Sequence, residues 1–300
     1  MNIQEKSKGY VAALLSSATF GLIPLFTVPL MRMGYTTENI LIYRFTFATA
    51  FIALVMWIKK IPFRLRERRY MMILLGLSLL YFFSALLLIN GYKAMNSGMA
   101  TVIHFMYPLM VALLMLIFFG QKMSIRGVVA LIMAFCGVVL LSGILSQGET
   151  GQAVSFGSIG KVALSGLCYA LYIIVVNKSG IAAVPMWRFS FYLMLFCTIY
   201  FLAFACTKGT VEVPSSPTSW GLLFLLGLVP TVISNMLLVI AIPKIGSTAT
   251  SIMGVMEPLT AVVVGILVLG EKLSLSTGVG MGVILLAVWL LVTDKKGAAA

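Results

Sequence analysis

Long apolar runs separated by short polar connections make up most of this chain. Each run holds about 20 residues, which is enough for a helix to cross a bilayer core of about 30 Å. Because lipid cannot satisfy backbone hydrogen-bonding groups, each run is predicted to be a helix. The pattern therefore predicts an all-α integral membrane protein with ten transmembrane helices. The predicted spans are 9–30, 37–58, 70–92, 98–119, 125–145, 157–178, 186–207, 218–242, 248–269 and 275–293.

Turn-forming residues mark the connections between the runs. They occur at Pro62, 96–98, 214–217 and 244–247. The longest connections are a basic segment near 59–69 and a polar stretch at 146–156. The polar stretch divides the spans into two groups of five. We predict a first repeat over 1–146, a linker over 147–156 and a second repeat over 157–296.

The two halves repeat one another at a fixed distance of 150 residues. The matching positions are Tyr107-Pro108-Leu109, Gly120, Lys122 and Ser124 in the first half, and Glu257-Pro258-Leu259, Gly270, Lys272 and Ser274 in the second. Ser97 and Ser247 keep the same offset. Because each half has an odd number of spans, the second half enters the membrane from the opposite side, and the repeats are inverted. Inverted repeats with a site between them are typical of secondary transporters that work by alternating access.

Composition and charge agree with a membrane protein. The chain is 61% hydrophobic and 10% charged, with a mean hydropathy of +1.09, whereas globular domains carry about 25% charged residues. With the N-terminus inside, most Lys and Arg residues fall in cytoplasmic segments, as the positive-inside rule requires. We predict a multi-pass protein of the cell inner (plasma) membrane with both termini cytoplasmic. This topology explains the net charge of +13 without a nucleic-acid partner.

Motifs for catalysis or metal binding are missing from the sequence. There is one histidine, and the spans contain no HExxH, Walker loop or Ser-His-Asp set. The four cysteines have no metal-ligand spacing and are interpreted as reduced packing residues. We predict no catalytic residue, no metal and no cofactor, so the protein is not expected to be an enzyme. A receptor or scaffold is the alternative class.

Charged side chains inside the membrane are candidates for function, because each costs about 2.5–3.5 kcal/mol at the bilayer centre. Glu257 lies near the middle of the ninth span. It is predicted to bind substrate or a coupling proton, or alternatively to cap a helix break at Pro258. Arg44 lies within the second span and is predicted to hold a substrate carboxylate, or to pair with Glu38 or Glu257. Because Arg188 matches Arg44 in the second half, a structural role is the alternative.

His104 is the single histidine of the chain and lies one turn before Pro108 in the fourth span. Because the ordinary histidine pKa is near 6.5, this side chain is predicted to contact substrate or to carry a proton, as is Glu257. Gly254 occupies the matching position in the second half, so the repeat does not require a histidine there. A hydrogen-bonded packing role is the alternative.

Aromatic residues cluster along the sequence near these positions. Tyr81 and Tyr107 are predicted to line a cavity, where their rings suit an apolar, aromatic or quaternary ammonium substrate. Tyr169 and Tyr172 belong to the same aromatic set, for which an interfacial belt is the alternative explanation. Asn235 lies inside a span and is predicted to bind substrate, or simply a neighbouring helix.

Two segments, Ala94 to Leu140 and Lys244 to Leu290, carry a family resemblance. In the second half the pattern reads Glu257-Pro258-Leu259-Thr260-Ala261 followed by Gly270-Glu271-Lys272. This pattern resembles the EamA domain of the drug/metabolite transporter (DMT) superfamily, and the resemblance covers nearly the whole chain. It implies a ten-span carrier of small metabolites built from inverted repeats, often an exporter of amino acids.

The first half departs from the family pattern at two positions. Gln121 replaces the usual acidic residue, and Tyr107 stands where Glu257 stands in the second half. The halves are therefore chemically unequal at matched positions. This inequality favours an asymmetric substrate, or a coupling role for one half.

Together these features predict a secondary active or facilitative transporter, most simply an amino-acid or metabolite exporter that works by alternating access. The third, fourth, eighth and ninth spans are expected to line the cavity, with the first and sixth contributing. The expected partners are a small-molecule substrate, the lipid bilayer and a coupling proton, and the chain is expected to be a monomer or a weak homodimer. The alternative is an importer of a cationic substrate such as a quaternary amine, bound by Glu257 and the aromatic rings.

Overall fold

The computed structural model describes residues 3–120, 124–141, 154–209, 211–254, 256–272 and 275–293. The helices are α1 (Ile3–Phe20), α2 (Ile23–Arg32), α3 (Thr37–Ile58), α4 (Arg68–Ala94), α5 (Ser97–His104), α6 (Tyr107–Phe119), α7 (Ile125–Leu141), α8 (Phe156–Lys178), α9 (Met186–Lys208), α10 (Pro217–Gly227), α11 (Ser234–Met253), α12 (Met256–Leu267) and α13 (Leu275–Val292). A π-helical turn, Leu228–Ile233, joins α10 to α11. The described residues contain no strand, which confirms the predicted all-α class. Most of the predicted linker 147–156 lies outside them, as does Gln121.

Within the described residues, seven helical segments are long and apolar enough to cross a membrane. They are Ser7–Arg32, Thr37–Ile58, Arg68–Ala94, Ser97–Phe119, Phe156–Lys178, Met186–Lys208 and Pro217–Leu238. Shorter apolar helices cover Ile125–Gly137, Met256–Leu267 and Gly278–Leu290, where the sequence predicts the fifth, ninth and tenth spans. The multi-pass character is confirmed, whereas the count of ten spans stays a prediction.

Prolines interrupt the helices at two matching places in the repeats. The fourth span breaks between α5 and α6, just before Pro108, and α11 gives way to α12 just before Pro258. A proline ring clashes with the carbonyl one turn earlier and supplies no N–H, so the helix before it ends. Each break exposes a helix end in mid-span, which is tolerated only where other protein groups or a wet cavity lie alongside.

Prolines also disturb two further spans, and here the repeat shows no matching residue. Pro24 opens α2 after a turn at Gly21 and Leu22. Pro230 lies inside the π-helical turn, where the helix accommodates an extra residue in place of the lost hydrogen bond. These interruptions, like those at Pro108 and Pro258, place irregular backbone near the middle of the bundle.

Helices of the first half pack against helices of the second half. The pairs are α1 with α11, α3 with α9, α4 with α8, and α7 with α13. At the centre α5 contacts α12, so the interrupted helices of the two halves also meet. Large apolar side chains fill the contacts, as where the Phe45 and Phe201 rings stack with their centroids 5.5 Å apart. The interface between the halves therefore runs through the middle of the molecule.

A carboxylate ties α12 to the start of α5 at one end of the bundle. The Ser97 backbone N–H donates to Glu271 Oε1 at 2.8 Å, and Asn96 Nδ2 donates to the Lys272 carbonyl at 2.9 Å. Glu271 reaches this position because the chain reverses at Gly270, where φ is +70°. The first N–H groups of a helix have no partner within it, so this carboxylate satisfies one of them and complements the helix dipole.

At the opposite end of α4, residues 59–67 connect α3 to α4 and are held by α9. Arg188 Nε donates to the Pro62 carbonyl at 2.8 Å, and the Tyr192 hydroxyl donates to the Phe63 carbonyl at 3.0 Å. Arg188, the repeat counterpart of Arg44, lies near the beginning of α9 and thus has a structural partner.

One predicted connection is helical. The turn predicted at 244–247 does not occur, because α11 continues to Met253. The helix persists because α1 packs directly along it: a Cβ atom added at Gly9 would lie 2.7 Å from Lys244 Cβ. Tertiary contact of this kind commonly overrides weak turn signals from glycine and serine.

Candidate functional site

Arg44 is buried in the middle of α3, with 3% of its surface exposed. Its Nε donates to Thr231 Oγ1 at 2.9 Å, and the Thr231 hydroxyl donates to the Leu226 carbonyl at 3.1 Å. Thr231 belongs to the π-helical turn, so this irregular segment positions the guanidinium. The predicted pairing with Glu38 does not form, because Glu38 Oε1 accepts from Lys208 Nζ at 2.9 Å.

The terminal nitrogens of Arg44 remain without a hydrogen bond to any described residue. The side chain is nevertheless almost fully buried in the described structure. A charged group in this setting requires water or a ligand as its partner.

Four tyrosines from α4, α6 and α8 form a continuous wall of rings. Tyr107 from α6 meets Tyr169 from α8 with ring centroids 4.7 Å apart, and Tyr169 stacks on Tyr172 at 5.6 Å. Tyr81 from α4 completes the wall, with its ring centroid 5.6 Å from that of Tyr172. None of the four hydroxyls has a hydrogen bond to a described residue or is enclosed without one.

The wall contains Tyr81 and Tyr107, which the sequence predicts to line a cavity. Two further tyrosines link them, for which the sequence alone does not decide between a cavity and a belt at the membrane surface. Tyr169 and Tyr172 are three residues apart on α8, and this spacing places them on one helix face. That spacing is the signal that could have separated these two rings from a belt at the membrane surface.

His104 ends α5 and closes the other end of the tyrosine wall. Its ring centroid lies 5.6 Å from that of Tyr169 and 6.1 Å from that of Tyr107. His104 Nδ1 lies 2.8 Å from Ser165 Oγ on α8. Gly166 permits this approach, because a Cβ atom there would lie 2.9 Å from the His104 carbonyl oxygen. Ser165 was not predicted, since one serine in an apolar helix carries no distinguishing pattern.

Glu257 lies in the first turn of α12, immediately after the helix break. Its side chain is half-buried and has no hydrogen bond to a described residue. The carboxyl group lies within electrostatic reach of Arg44 and Tyr107, but no direct ion pair with Arg44 forms. Its backbone carbonyl packs against Gly21, so the breaks of the first and ninth predicted spans touch here.

Asn235 lies one turn beyond Thr231 on α11, close to the residue that holds Arg44. Its Nδ2 donates to the Thr231 carbonyl, so this part of the amide is used within its own helix. Each of the other predicted site residues has at least one polar group with no hydrogen bond to a described residue. They are Arg44, Tyr81, His104, Tyr107 and Glu257. In the same part of the chain, no three His, Cys, Asp or Glu side chains are grouped to hold a metal ion.

The sequence matches the model of the EamA-like transporter family twice, over residues 7–143 and 158–293. The chain belongs to the EamA-like transporter family. This confirms the resemblance read from the Gly-Glu-Lys and proline motifs. The membership also identifies the chain as a membrane transporter of small molecules, in agreement with its apolar helices.

Two further likenesses extend over nearly the whole of this EamA-like transporter. An uncharacterized transporter from Archaeoglobus fulgidus is 26% identical over 281 residues, covering 93% of this chain and 94% of the relative. A solved crystal structure aligns with a TM-score of 0.64 at 17% identity, covering 98% of this chain and 99% of the other. The relative's name supports transport, and the solved structure supports the fold alone.

Proposed function

We propose that this EamA-like transporter exports amino acids or closely related zwitterionic metabolites by alternating access. The observation that carries the proposal is the presence of both Arg44 and Glu257 in the candidate site. Arg44 on α3 and Glu257 on α12 are close enough to interact electrostatically, yet no ion pair joins them among the described residues. A zwitterion satisfies both, since its carboxylate suits the guanidinium and its ammonium group suits the carboxylate.

The tyrosine wall supports the proposal because it favours an amphipathic substrate. Aromatic faces bind an apolar side chain and attract a cationic group, while their hydroxyls offer hydrogen bonds at the edge of the space. The wall joins α4, α6 and α8, and therefore both halves of the chain. A ligand lodged against it contacts the interface between the repeats, which is where a substrate site belongs in this architecture.

Mechanism follows from the interrupted helices. Spans broken at Pro108 and Pro258 can bend at mid-membrane, so that either end of the space can open while the other stays closed. We place the protein in the cell inner membrane with both termini in the cytoplasm, because of the distribution of Lys and Arg residues. Export is the direction that the resemblance to amino-acid exporters favours.

A second candidate function is the import of a quaternary ammonium cation. The four tyrosine rings and Glu257 favour it, because such rings attract cations that lack N–H groups. Arg44 opposes it, since a guanidinium in the same space repels a substrate that carries positive charge alone. The zwitterion is therefore preferred.

The deciding experiment measures binding and flux with purified protein. Thermal shift in detergent and uptake into proteoliposomes are recorded for L-amino acids and for choline. Arg44→Gln is expected to abolish the amino-acid response, and Glu257→Gln is expected to weaken it. Arg188→Gln is the matched control, because this repeat counterpart of Arg44 bonds a surface carbonyl and should leave binding intact. Choline binding with no amino-acid response would overturn the proposal in favour of the second candidate.

A further inference from the structure

The contact between Ser165 and His104 has a defined direction. Ser165 Oγ lies 2.6 Å from the Val162 carbonyl oxygen and 2.8 Å from His104 Nδ1. A carbonyl oxygen can only accept, and a serine hydroxyl has one proton to donate. The Ser165 proton is therefore used at Val162, and the same hydroxyl must accept a hydrogen bond from His104 Nδ1–H.

This direction fixes the form of the imidazole ring. In a neutral histidine one nitrogen carries the proton and the other offers a lone pair. With the proton on Nδ1, His104 Nε2 is an acceptor. Nε2 has no hydrogen bond to a described residue, and it is not among the enclosed atoms that lack a partner. The imidazole lies beside the rings of Tyr107 and Tyr169, and Nε2 is available to accept a hydrogen bond from a ligand.

We propose that Ser165 is a positioning residue that holds His104 as a hydrogen-bond acceptor, so that the site selects substrates whose ammonium group still carries N–H protons. The inference rests on the proposed function and names a substrate preference within it. Glu257 and His104 Nε2 can both accept hydrogen bonds; the His104 ring centroid lies 6.1 Å from that of Tyr107, and the Glu257 carboxyl group interacts electrostatically with Tyr107. A primary ammonium group can donate to both, whereas a trimethylated one can donate to neither.

The fold supports a specific purpose for this pair. Ser165 and His104 are both almost fully buried, with 0% and 4% of their surfaces exposed. Gly254 replaces the histidine in the other repeat, so the helix break itself does not require an imidazole. Gly166 brings α8 close enough to α5 for the hydroxyl to reach the ring. Burial reduces competition from water, which makes the proton arrangement definite.

The arrangement can be observed without any substrate. His104 is the single histidine in the sequence, so ¹⁵N-histidine labelling gives an NMR signal from this one ring. In wild-type protein in nanodiscs at pH 8, we expect the Nδ1-protonated tautomer. Ser165→Ala is expected to move the ring toward the Nε2-protonated form, while Ser78→Ala leaves it unchanged. Ser78 is the matched control, since it is equally buried and donates to the Leu74 carbonyl at 2.7 Å.

The consequence for selectivity is measured with one pair of probes. L-phenylalanine and N,N,N-trimethyl-L-phenylalanine share a carboxylate and a ring and differ in their N–H groups. We expect wild-type protein to bind the first about tenfold more tightly, which is the effect of one or two net hydrogen bonds. Ser165→Ala should lower this ratio below about threefold by the same measure. His104→Asn keeps a donor toward Ser165 but loses Nε2, and should lower the ratio likewise.

The outcomes separate this inference from the proposed function. If wild-type protein binds neither probe nor any other amino acid, the proposed function fails, and the NMR spectrum still decides the role of Ser165. If wild-type protein prefers L-phenylalanine but Ser165→Ala keeps both the tautomer and the preference, the inference is wrong while the function stands. An Nε2-protonated ring or an imidazolium ring in the wild-type spectrum would also overturn it.

Discussion

At the scale of single residues, the candidate site is defined by polar groups that lack a hydrogen-bond partner among the described residues. They are the terminal nitrogens of Arg44, the Glu257 carboxyl group and the four tyrosine hydroxyls. Leaving such groups unpaired costs free energy of folding. Such a cost is expected where a ligand supplies the missing partners, as we propose for this site.

Proton coupling is a prediction that belongs to Glu257. Glu257→Gln removes the titratable proton but keeps a similar shape, so a variant that still binds substrate should lose acceleration by a pH gradient. The measurement compares uptake of a bound amino acid into proteoliposomes with and without a pH difference across the membrane. Glu212→Gln, in the connection before α10, is the control and should respond as wild type. Equal acceleration in Glu257→Gln would assign coupling to another group, His104 being the next candidate.

At the scale of helices, the interrupted spans are held by close contacts and by one charged tether. Gly21 packs against the Glu257 carbonyl oxygen, and a Cβ atom there would also lie 2.7 Å from Thr260 Cβ. The Ser97 N–H donates to Glu271 Oε1 at 2.8 Å. Both contacts join segments that are distant in sequence, so each should be measurable as stability.

Gly21→Ala is expected to destabilise the protein by about 1–3 kcal/mol, because the added methyl group displaces the backbone of α12. The measurement is thermal unfolding in detergent, followed by tryptophan fluorescence. Gly76→Ala is the control: nothing lies within 4 Å of a Cβ atom at this helical position. There the change should be neutral, or stabilising by about 0.5–1 kcal/mol. Equal effects of the two substitutions would mean that the Gly21 contact is loose.

Glu271→Gln should cost about 0.5–1 kcal/mol, since a neutral amide complements a helix N-terminus less well than a carboxylate. Glu67→Gln is a matched control, because Glu67 precedes α4 without a side-chain bond to that helix. The same unfolding assay applies to both. A loss in Glu67→Gln as large as that in Glu271→Gln would show that general surface charge, and not the tether, is responsible.

The sequence predicts the helices well, because apolar length alone determines what can cross a membrane. The interruption at Pro258 is predicted as well, from the backbone chemistry of proline, whereas the one at its repeat counterpart Pro108 was found in the structure. The sequence could not predict the continuation of α11 past residue 244, which depends on packing against Gly9. The role of Ser165 was likewise inaccessible, since it follows from which helix face meets α5, and no pattern within α8 records that.

At the scale of the whole molecule, the two halves are interleaved. Each of the pairings of α1, α3, α4 and α7 crosses from one half to the other. Neither half can bury its contact faces without its partner, although each could cross the membrane alone. Folding of the transporter is therefore completed by association of its repeats, as in the second stage of membrane protein assembly.

Co-expression of residues 1–146 and 147–300 as separate chains should give a protein that binds amino acids. The two halves pack against each other through their helices, so the covalent connection between them is not required for association. Either half alone should fail to bind and should be degraded. Co-purification of the halves with an affinity tag on one of them, followed by the thermal-shift assay, makes the test. Recovery of binding by one half alone would contradict the interleaved arrangement.

The Glu271 tether also bears on the kinetics of transport. At the sequence position that matches Glu271, the first half has Gln121, which carries no charge. Under the proposed topology, we expect the Ser97–Glu271 contact to hold the periplasmic face closed. The empty carrier should then rest open to the cytoplasm, and its half-saturation concentrations on the two faces should differ by the resting population ratio. Such rectification lets an exporter load efficiently from inside even when substrate is scarce.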